Sequence, residues 1–138
     1  MNVELKDIHK RFGKVHANDG ISLSIRSGSI QGILGENGAG KSTLMKILSG
    51  FIQADSGDIF LDGKKTIIHS PADAVRLGIG MLHQDPLDVP AMRAIDNFIL
   101  GSPSGFFPNI SKATSEFKKI QKQYGFTIHP DAYVESMT

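Results

Sequence analysis

The sequence predicts an α/β fold with a strand-rich first half and a helical region after Pro90. Short strand patterns alternate with helix patterns along the chain, which indicates an α/β arrangement. A glycine-rich loop lies between a strand pattern and a helix pattern, at residues 35–40. We therefore expect an α/β core over residues 1–89 and part of a helical subdomain over residues 90–138.

The expected strands all lie before residue 83. Apolar and polar residues alternate in Ile21–Ile25, the pattern of a half-buried strand. The Asp62-Gly63 dipeptide predicts a hairpin turn between strands at 59–61 and 66–68. The remaining expected strands are residues 3–8, Ile30–Leu34 and Ile79–Leu82.

Helices are expected in both regions. The first begins near Ser42, directly after the glycine-rich loop, and ends at Gly50. Ser70 can cap a second helix that has Pro71 at its first position. Apolar residues at helical spacing predict two more helices, over residues 92–100 and 111–124.

Composition narrows the classes of function that the chain can have. The net charge is +1 and no basic stripe is present, so we expect no nucleic acid partner. There is no cysteine, which excludes disulfides and thiolate metal sites. The first residues lack the pattern of a secretory signal, and no apolar run approaches the ~20 residues that span a bilayer. A role at a membrane would therefore require docking to another chain.

Residues 35–43 match the phosphate-loop pattern G-x-x-x-x-G-K-[ST]. Glycines let the backbone curl so that its N–H groups face phosphate oxygens, and the helix that follows points its positive end at the same place. Lys41 adds a full positive charge, and the Ser42 hydroxyl is a suitable Mg²⁺ ligand. The alternative is a glycine-rich turn with an incidental lysine, which the preceding strand and the following helix disfavour. The expected nucleotide-binding residues of the loop are Gly35, Asn37, Gly38, Ala39, Gly40, Lys41, Ser42 and Thr43.

The stretch Gly35–Gly50, GENGAGKSTLMKILSG, resembles the Walker A segment of ABC-type ATPases. Phe12 stands where that family carries an aromatic residue that stacks on adenine, and Gln84 stands at the position of its Q-loop glutamine. Residues 70–84 are more narrowly similar to the ATP-binding subunits of importers of simple sugars and nucleosides. The resemblance runs over nearly all of the chain.

This resemblance implies a P-loop NTPase core of the ABC type, with an antiparallel β region near the N-terminus and an incomplete sheet. It implies binding of ATP and Mg²⁺, catalytic roles for Lys41 and Gln84, and contact of Ser42 and Gln84 with the metal. Hydrolysis would drive uptake of a sugar or nucleoside. The implied partners are transmembrane permease subunits, contacted through residues 92–101, a second nucleotide-binding domain and, indirectly, a solute-binding protein. Such a subunit lies on the cytoplasmic face of the cell membrane, as a peripheral protein.

Each of these single-residue roles has a plainer alternative. For Phe12 the alternative is core packing, but Arg11 and Lys14 nearby indicate an exposed turn, which suits a platform for a base. For Gln84 it is an ordinary surface position, although an amide oxygen at the end of a strand can reach a metal ion or a water. His83 is expected to be a loop or packing residue and not a base.

Residues 134–138 resemble the lead-in to the signature motif of the family, and the chain contains no segment of the Walker B kind. We therefore expect these 138 residues alone to bind nucleotide and to hydrolyse it very slowly or not at all, because transfer to water needs a positioned water. Ile30–Leu34 would also lack parallel neighbours, which leaves an exposed edge and a marginally stable chain. Two other functions stay open: a non-transport ABC ATPase, and a nucleotide-binding module without hydrolysis.

Overall fold

The computed structural model describes residues 1–83, 88–100 and 109–137. The chain divides into two compact units, Met1–Leu82 and His83–Thr138, and each is described by itself. All strands among the described residues belong to the first unit, which also contains the phosphate loop.

The first unit is built on a four-stranded sheet in the order β2-β1-β3-β4, in which every neighbouring pair is antiparallel. Its strands are β1 (Val3–Phe12), β2 (Val15–Ile25), β3 (Ser56–Leu61) and β4 (Lys64–Thr66). Strand β1 is central, since Val3 pairs with Ile25 on one side and with Leu61 on the other. The expected antiparallel region is confirmed, and its first strand continues to Phe12.

Residues with left-handed backbone make the two tight turns between paired strands. Asp62 (φ 48°) and Gly63 (φ 78°) connect β3 to β4, as the dipeptide predicted. The second strand is Lys64–Thr66, two residues earlier than the expected 66–68, because the strand resumes directly after the two turn residues. Gly13 (φ 58°) lies in the turn from β1 to β2. Positive φ angles give a turn the twist that paired strands have, so both hairpins close with short connections.

Helix α1 (Lys41–Leu48) provides much of the core of this unit. Its residues Leu44 and Ile47 are buried in one cluster with Leu5 and Ile8 of β1. Burying a side chain of this size contributes about 2 kcal/mol to folding. The core therefore ties the helix that follows the phosphate loop to the central strand of the sheet.

Helix α2 (Pro71–Arg76) begins as the sequence predicted. The Ser70 hydroxyl accepts a hydrogen bond from the N–H of Asp73, and Pro71 occupies the first turn. Hydrogen bonds from Ser70 and from Arg76 hold the pKa of the Asp73 carboxyl below its ordinary value of 3.8. The helix ends before Gly78, whose φ of 83° suits a residue without a side chain.

Two expected strands are not formed, and these predictions are wrong. Ile30–Leu34 is irregular, and its terminal side chains, Ile30 and Leu34, are 102% and 96% exposed. Ile79–Leu82 has no strand structure either, although Ile79 is buried in the core. A strand needs a hydrogen-bonded neighbour, and the four-stranded sheet among the described residues includes neither segment. The exposed apolar side chains agree with the expected unpaired edge.

The described residues of the second unit form α3 (Ala94–Leu100), α4 (Ile110–Tyr124) and a 3-10 helix at Val134–Ser136. Ile95 of α3 and Phe117 of α4 are buried together. The ring of Phe98 meets that of Phe117 edge-on, with 5.3 Å between ring centroids. The Arg93 guanidinium donates to Asp96 and to Asp131, which links the start of α3 to the last described segment.

Candidate phosphate-binding site

Residues 35–40 form a loop, exposed except for Gly40, that leads directly into helix α1. Gly38 and Gly40 have φ angles of 85° and 79°, in the left-handed region that favours glycine. The N–H of Ala39 donates to the carbonyl of Glu36 at 3.2 Å, which closes a turn inside the loop. Left-handed residues in such turns are the building blocks of backbone nests, which bind anions through successive N–H groups.

Gly40, the last residue of the loop, lies in contact with strand β2. A Cβ added to Gly40 would be 2.0 Å from the carbonyl oxygen of Ala17 and 2.7 Å from Nδ2 of Asn18. The register between β1 and β2 shifts at this point and leaves Ala17 as the extra residue of a bulge. Residue 40 must therefore be glycine, both for its φ angle and for the space around it.

Asn18 is a site residue that the sequence analysis missed. The residue is 3% exposed, and its Nδ2 donates to the carbonyl of Gly40 at 3.2 Å. The sequence contained only a weak signal, because an asparagine beside Asp19 and Gly20 suits a turn as well as a buried position. Its burial against the loop assigns it to the site.

Lys41, the first residue of α1, is folded back over the loop. Its Nζ donates to the carbonyls of Gly35, at 2.8 Å, and of Glu36, at 2.7 Å. An ammonium group has three N–H donors, so one is left for another acceptor. The positive charge is thus held at the loop, where a phosphate oxygen would form a stronger, charge-assisted hydrogen bond.

The start of α1 offers further donors. Gly40 is its N-cap residue and no side chain caps the helix, so the amides of its first turn lack intrahelical partners. The helix dipole adds positive potential at the same end. The Ser42 side chain is exposed beside these amides, and a hydroxyl is a kind of oxygen that Mg²⁺ accepts as a ligand. Donors and hydroxyl together fit a phosphate group with a bound Mg²⁺ ion. The loop and the first turn contain Gly35, Asn37, Gly38, Ala39, Gly40, Lys41, Ser42 and Thr43.

Phe12 ends β1 at the hairpin turn and is 50% exposed. It pairs with Val15, and Ala17 follows Val15 by about 7 Å of strand. Phe12 and the phosphate loop are therefore attached to the same end of the β1–β2 hairpin. The Nζ of Lys10 lies 5.6 Å from the ring centroid. The residue is therefore exposed enough for contact with another planar group.

Asp55 holds the strand end that carries Phe12. Its carboxylate accepts one hydrogen bond from Nζ of Lys10 and one from the N–H of Arg11, each at 2.7 Å. These two hydrogen bonds hold the pKa of Asp55 below its ordinary value of 3.8. The Asp55 carboxylate therefore positions the end of β1 while it is ionised.

Gln84, the predicted catalytic and metal-contacting glutamine, lies outside the described residues. His83 beside it is half-buried. Within residues 1–83, 88–100 and 109–137, no cluster of three or more His, Asp or Glu side chains is arranged to hold a metal ion. The Ser42 hydroxyl is an oxygen ligand that the described site can offer.

The family profile described as ABC transporter matches residues 18–138. The chain belongs to the ABC transporter family. The matched segment begins at Asn18 and contains the whole phosphate loop, the rest of the first unit and the second unit. The similarity to the family is therefore not confined to the phosphate loop but extends over residues 18–138 of this ABC chain.

Two relatives illustrate the similarity. The nucleoside import ATP-binding protein NupA of Lactococcus lactis subsp. cremoris (strain MG1363) is 39% identical over 138 residues, which cover 99% of this ABC chain and 27% of NupA. The ribose import ATP-binding protein RbsA of Caldanaerobacter subterraneus subsp. tengcongensis is 39% identical over 139 residues, which cover 99% and 28%. The chain spans about a quarter of the length of these relatives.

The crystal structure of a nucleotide-free ATP-binding cassette from an ABC transporter has the same fold. It superposes with a TM-score of 0.86 at 27% identity, over 100% of this chain and 60% of that one. The predicted ABC-type P-loop NTPase fold, with its antiparallel β region near the N-terminus, is confirmed. Among the helices of the described residues, none combines the length and the hydropathy that a membrane span requires.

Proposed function

We propose that the chain is part of the ATP-binding subunit of an ABC importer for sugars or nucleosides, and that it binds ATP-Mg²⁺ through residues 35–43. The observation that carries the proposal is the position of Lys41. Its ammonium bonds to two loop carbonyls at the uncapped start of α1. Backbone donors without intrahelical partners, combined with one ammonium, form an anion site of the kind that binds phosphates.

The phosphate groups would take their donors from the loop and from the first turn of α1. Lys41 can exchange its two carbonyl acceptors for charged phosphate oxygens, which are stronger acceptors. The amides at the start of α1 add hydrogen bonds, and the helix dipole stabilises negative charge there. Ser42 would hold the Mg²⁺ ion, which neutralises charge on the β- and γ-phosphates when it is bound.

Phe12 would hold the adenine and Gln84 would act in catalysis. The exposed ring at the end of β1 supports the first assignment, because every base has a flat face that stacks on an aromatic ring. The assignment of Gln84 to the metal and the attacking water rests on its place in the sequence. Residues 1–89 would then be the nucleotide-binding core, and residues 90–138 part of the helical subdomain.

The coupled activity belongs to the complete protein. NupA and RbsA are by name ATP-binding proteins of nucleoside and ribose import, which supports uptake of a sugar or nucleoside as the process driven by ATP hydrolysis. The partners would be transmembrane permease subunits, reached through residues 92–101, a second nucleotide-binding domain and, indirectly, a solute-binding protein. The subunit would work on the cytoplasmic face of the membrane. For these 138 residues alone we expect nucleotide binding with little or no turnover.

The test is calorimetric titration of the purified chain with ATP-Mg²⁺, using Lys41→Ala as the loss-of-charge variant. Lys46→Ala is the matched control, because Lys46 is an exposed lysine in the last turn of the same helix. We expect ATP-Mg²⁺ to bind to the original chain and to the Lys46→Ala variant, and to bind far more weakly to Lys41→Ala. Equal binding to all three chains would refute the proposed phosphate site.

A further inference from the structure

Asn18 is a buried polar residue, and of its amide nitrogen and oxygen only the nitrogen has a hydrogen-bond partner among the described residues. Nδ2 donates to the carbonyl of Gly40 at 3.2 Å, and the residue is 3% exposed. Oδ1 is buried, and no described residue donates a hydrogen bond to it. A buried acceptor without a donor costs free energy of folding, so stability alone does not account for an asparagine at this position.

The orientation of the Asn18 amide follows from its neighbour. The Gly40 carbonyl can only accept, so the atom that faces it must be the NH₂ group. That carbonyl already accepts a hydrogen bond from the N–H of Leu44 at 2.9 Å, the first bond of helix α1. Gly40 would therefore keep a donor without Asn18. The hydrogen bond from Asn18 therefore serves mainly to fix the direction of the carbonyl, because the carbonyl oxygen already has a donor in Leu44.

The direction of this carbonyl matters because it belongs to the same peptide group as the N–H of Lys41. A peptide group is planar and trans, so its C=O and N–H point in opposite directions. When Asn18 holds the Gly40 oxygen toward β2, the N–H of Lys41 points away from the strand. This amide is the first N–H of α1 and one of the donors that an anion at the helix start would use.

We propose that Asn18 is a positioning residue for the phosphate loop. Its amide fixes the Gly40–Lys41 peptide against the bulge at Ala17, and thereby aims the amide of Lys41 at the bound phosphate. The contact also joins the phosphate loop to the β1–β2 hairpin that carries Phe12. The residues proposed to bind the base and the phosphates are thus held by the same hairpin. This inference deepens the proposed function and rests on it for its ligand.

The test combines a readout without nucleotide and a readout with ATP-Mg²⁺. Asn18→Leu replaces the amide by an apolar side chain of similar size. Asn18→Ala removes the amide and leaves a smaller side chain, which cannot overpack the site. Ser22→Ala is the matched control, because it deletes a side-chain hydrogen bond to Asp7 from the same strand, away from the loop. The N–H of Leu44 donates to the Gly40 carbonyl, so its hydrogen exchange reports how firmly that carbonyl is held. Exchange at Leu44 is measured against exchange at Leu23 in β2, together with the midpoint of thermal unfolding and the Kd for ATP-Mg²⁺.

We expect exchange at the Leu44 amide to accelerate in both Asn18 variants, because its acceptor, the Gly40 carbonyl, is less firmly held, while exchange at Leu23 stays unchanged. The Kd should rise by about threefold to tenfold, the effect of one lost hydrogen bond, and Ser22→Ala should leave it unchanged. The unfolding midpoint of Asn18→Leu should stay equal or rise, because the unpaired oxygen is gone. A variant that keeps its unfolding midpoint but binds ATP-Mg²⁺ more weakly indicates a positioning role, because a purely structural role would lower stability and affinity together.

Two results would overturn this role for Asn18. One is unchanged exchange at Leu44 in both variants, and the other is a Kd that rises only in proportion to a fall in the unfolding midpoint. If the original chain fails to bind ATP-Mg²⁺, the proposed function is wrong. The exchange rate at Leu44, measured without nucleotide, then still decides whether Asn18 positions the loop.

Discussion

The α-carbon of Gly40 lies against the carbonyl oxygen of Ala17, so closely that a Cβ on residue 40 would be 2.0 Å from that oxygen. This contact joins the last residue of the phosphate loop to the bulge in β2. It explains in physical terms why the glycine before Lys41 is needed: the strand and the loop share the space that a side chain would occupy. The site is therefore made by packing as well as by its own loop sequence.

Gly40→Ala should destabilise the first unit by about 3 kcal/mol, since it combines a strained left-handed φ with a steric clash. Gly38→Ala is the matched control: Gly38 also has a positive φ, but no atom lies within 4 Å of an added Cβ. That variant should lose only about 1 kcal/mol. Denaturant unfolding measures both changes, and equal losses would show that the contact with Ala17 has no energetic effect.

Phe12→Ala should weaken binding of ATP-Mg²⁺ by about tenfold, because base stacking on an aromatic ring contributes 1–3 kcal/mol. Binding of inorganic tripolyphosphate should not change, since it has no base. Phe12→Tyr retains the ring and should bind ATP like the original chain. Titration of the three chains with both ligands is the measurement, and a parallel loss of tripolyphosphate binding would assign Phe12 a structural role instead.

Asp55→Asn should lower stability near neutral pH, because the ionised carboxylate accepts from Lys10 and Arg11. The pKa of Asp55 is lowered in the folded chain relative to 3.8, so its contribution is complete above that value. The contribution is lost as the pH falls through the lower, folded-state pKa. The stability difference between the original chain and the variant should therefore shrink in acid. Asp88→Asn, at an exposed carboxyl elsewhere, is the control, and a difference that persists in strong acid would contradict the assignment.

The double variant Ile30→Ser, Leu34→Ser should reduce self-association of the chain. Both side chains are almost completely exposed in a segment without strand partners, and unpaired apolar segments of this kind promote aggregation. Sedimentation over a range of concentrations and binding of an apolar dye measure the effect. Val75→Ser is the control, since Val75 is 68% exposed but lies on a helix, whose backbone is already paired. An equal reduction in the control would mean that exposure alone, without an unpaired edge, governs association.

Local chemistry determined the elements that the sequence predicted correctly. The Asp62-Gly63 turn, the Ser70 cap and the helix after the phosphate loop depend on φ preferences and on hydrogen bonds between near neighbours. The strands predicted at Ile30–Leu34 and Ile79–Leu82 were not formed, because a strand also needs a partner that its own sequence does not provide.

The sequence by itself determined the phosphate loop, the family and the hairpin turn at Asp62-Gly63. All of these depend on residue types at fixed spacing along the chain. Only the tertiary structure decided that Ala17 and Asn18 belong to the site, that Lys41 folds back over its loop and that Asp55 holds the end of β1. These contacts are distant in sequence or depend on a bulge in β2, and a bulge changes which side chains face the loop without a sequence signal of its own.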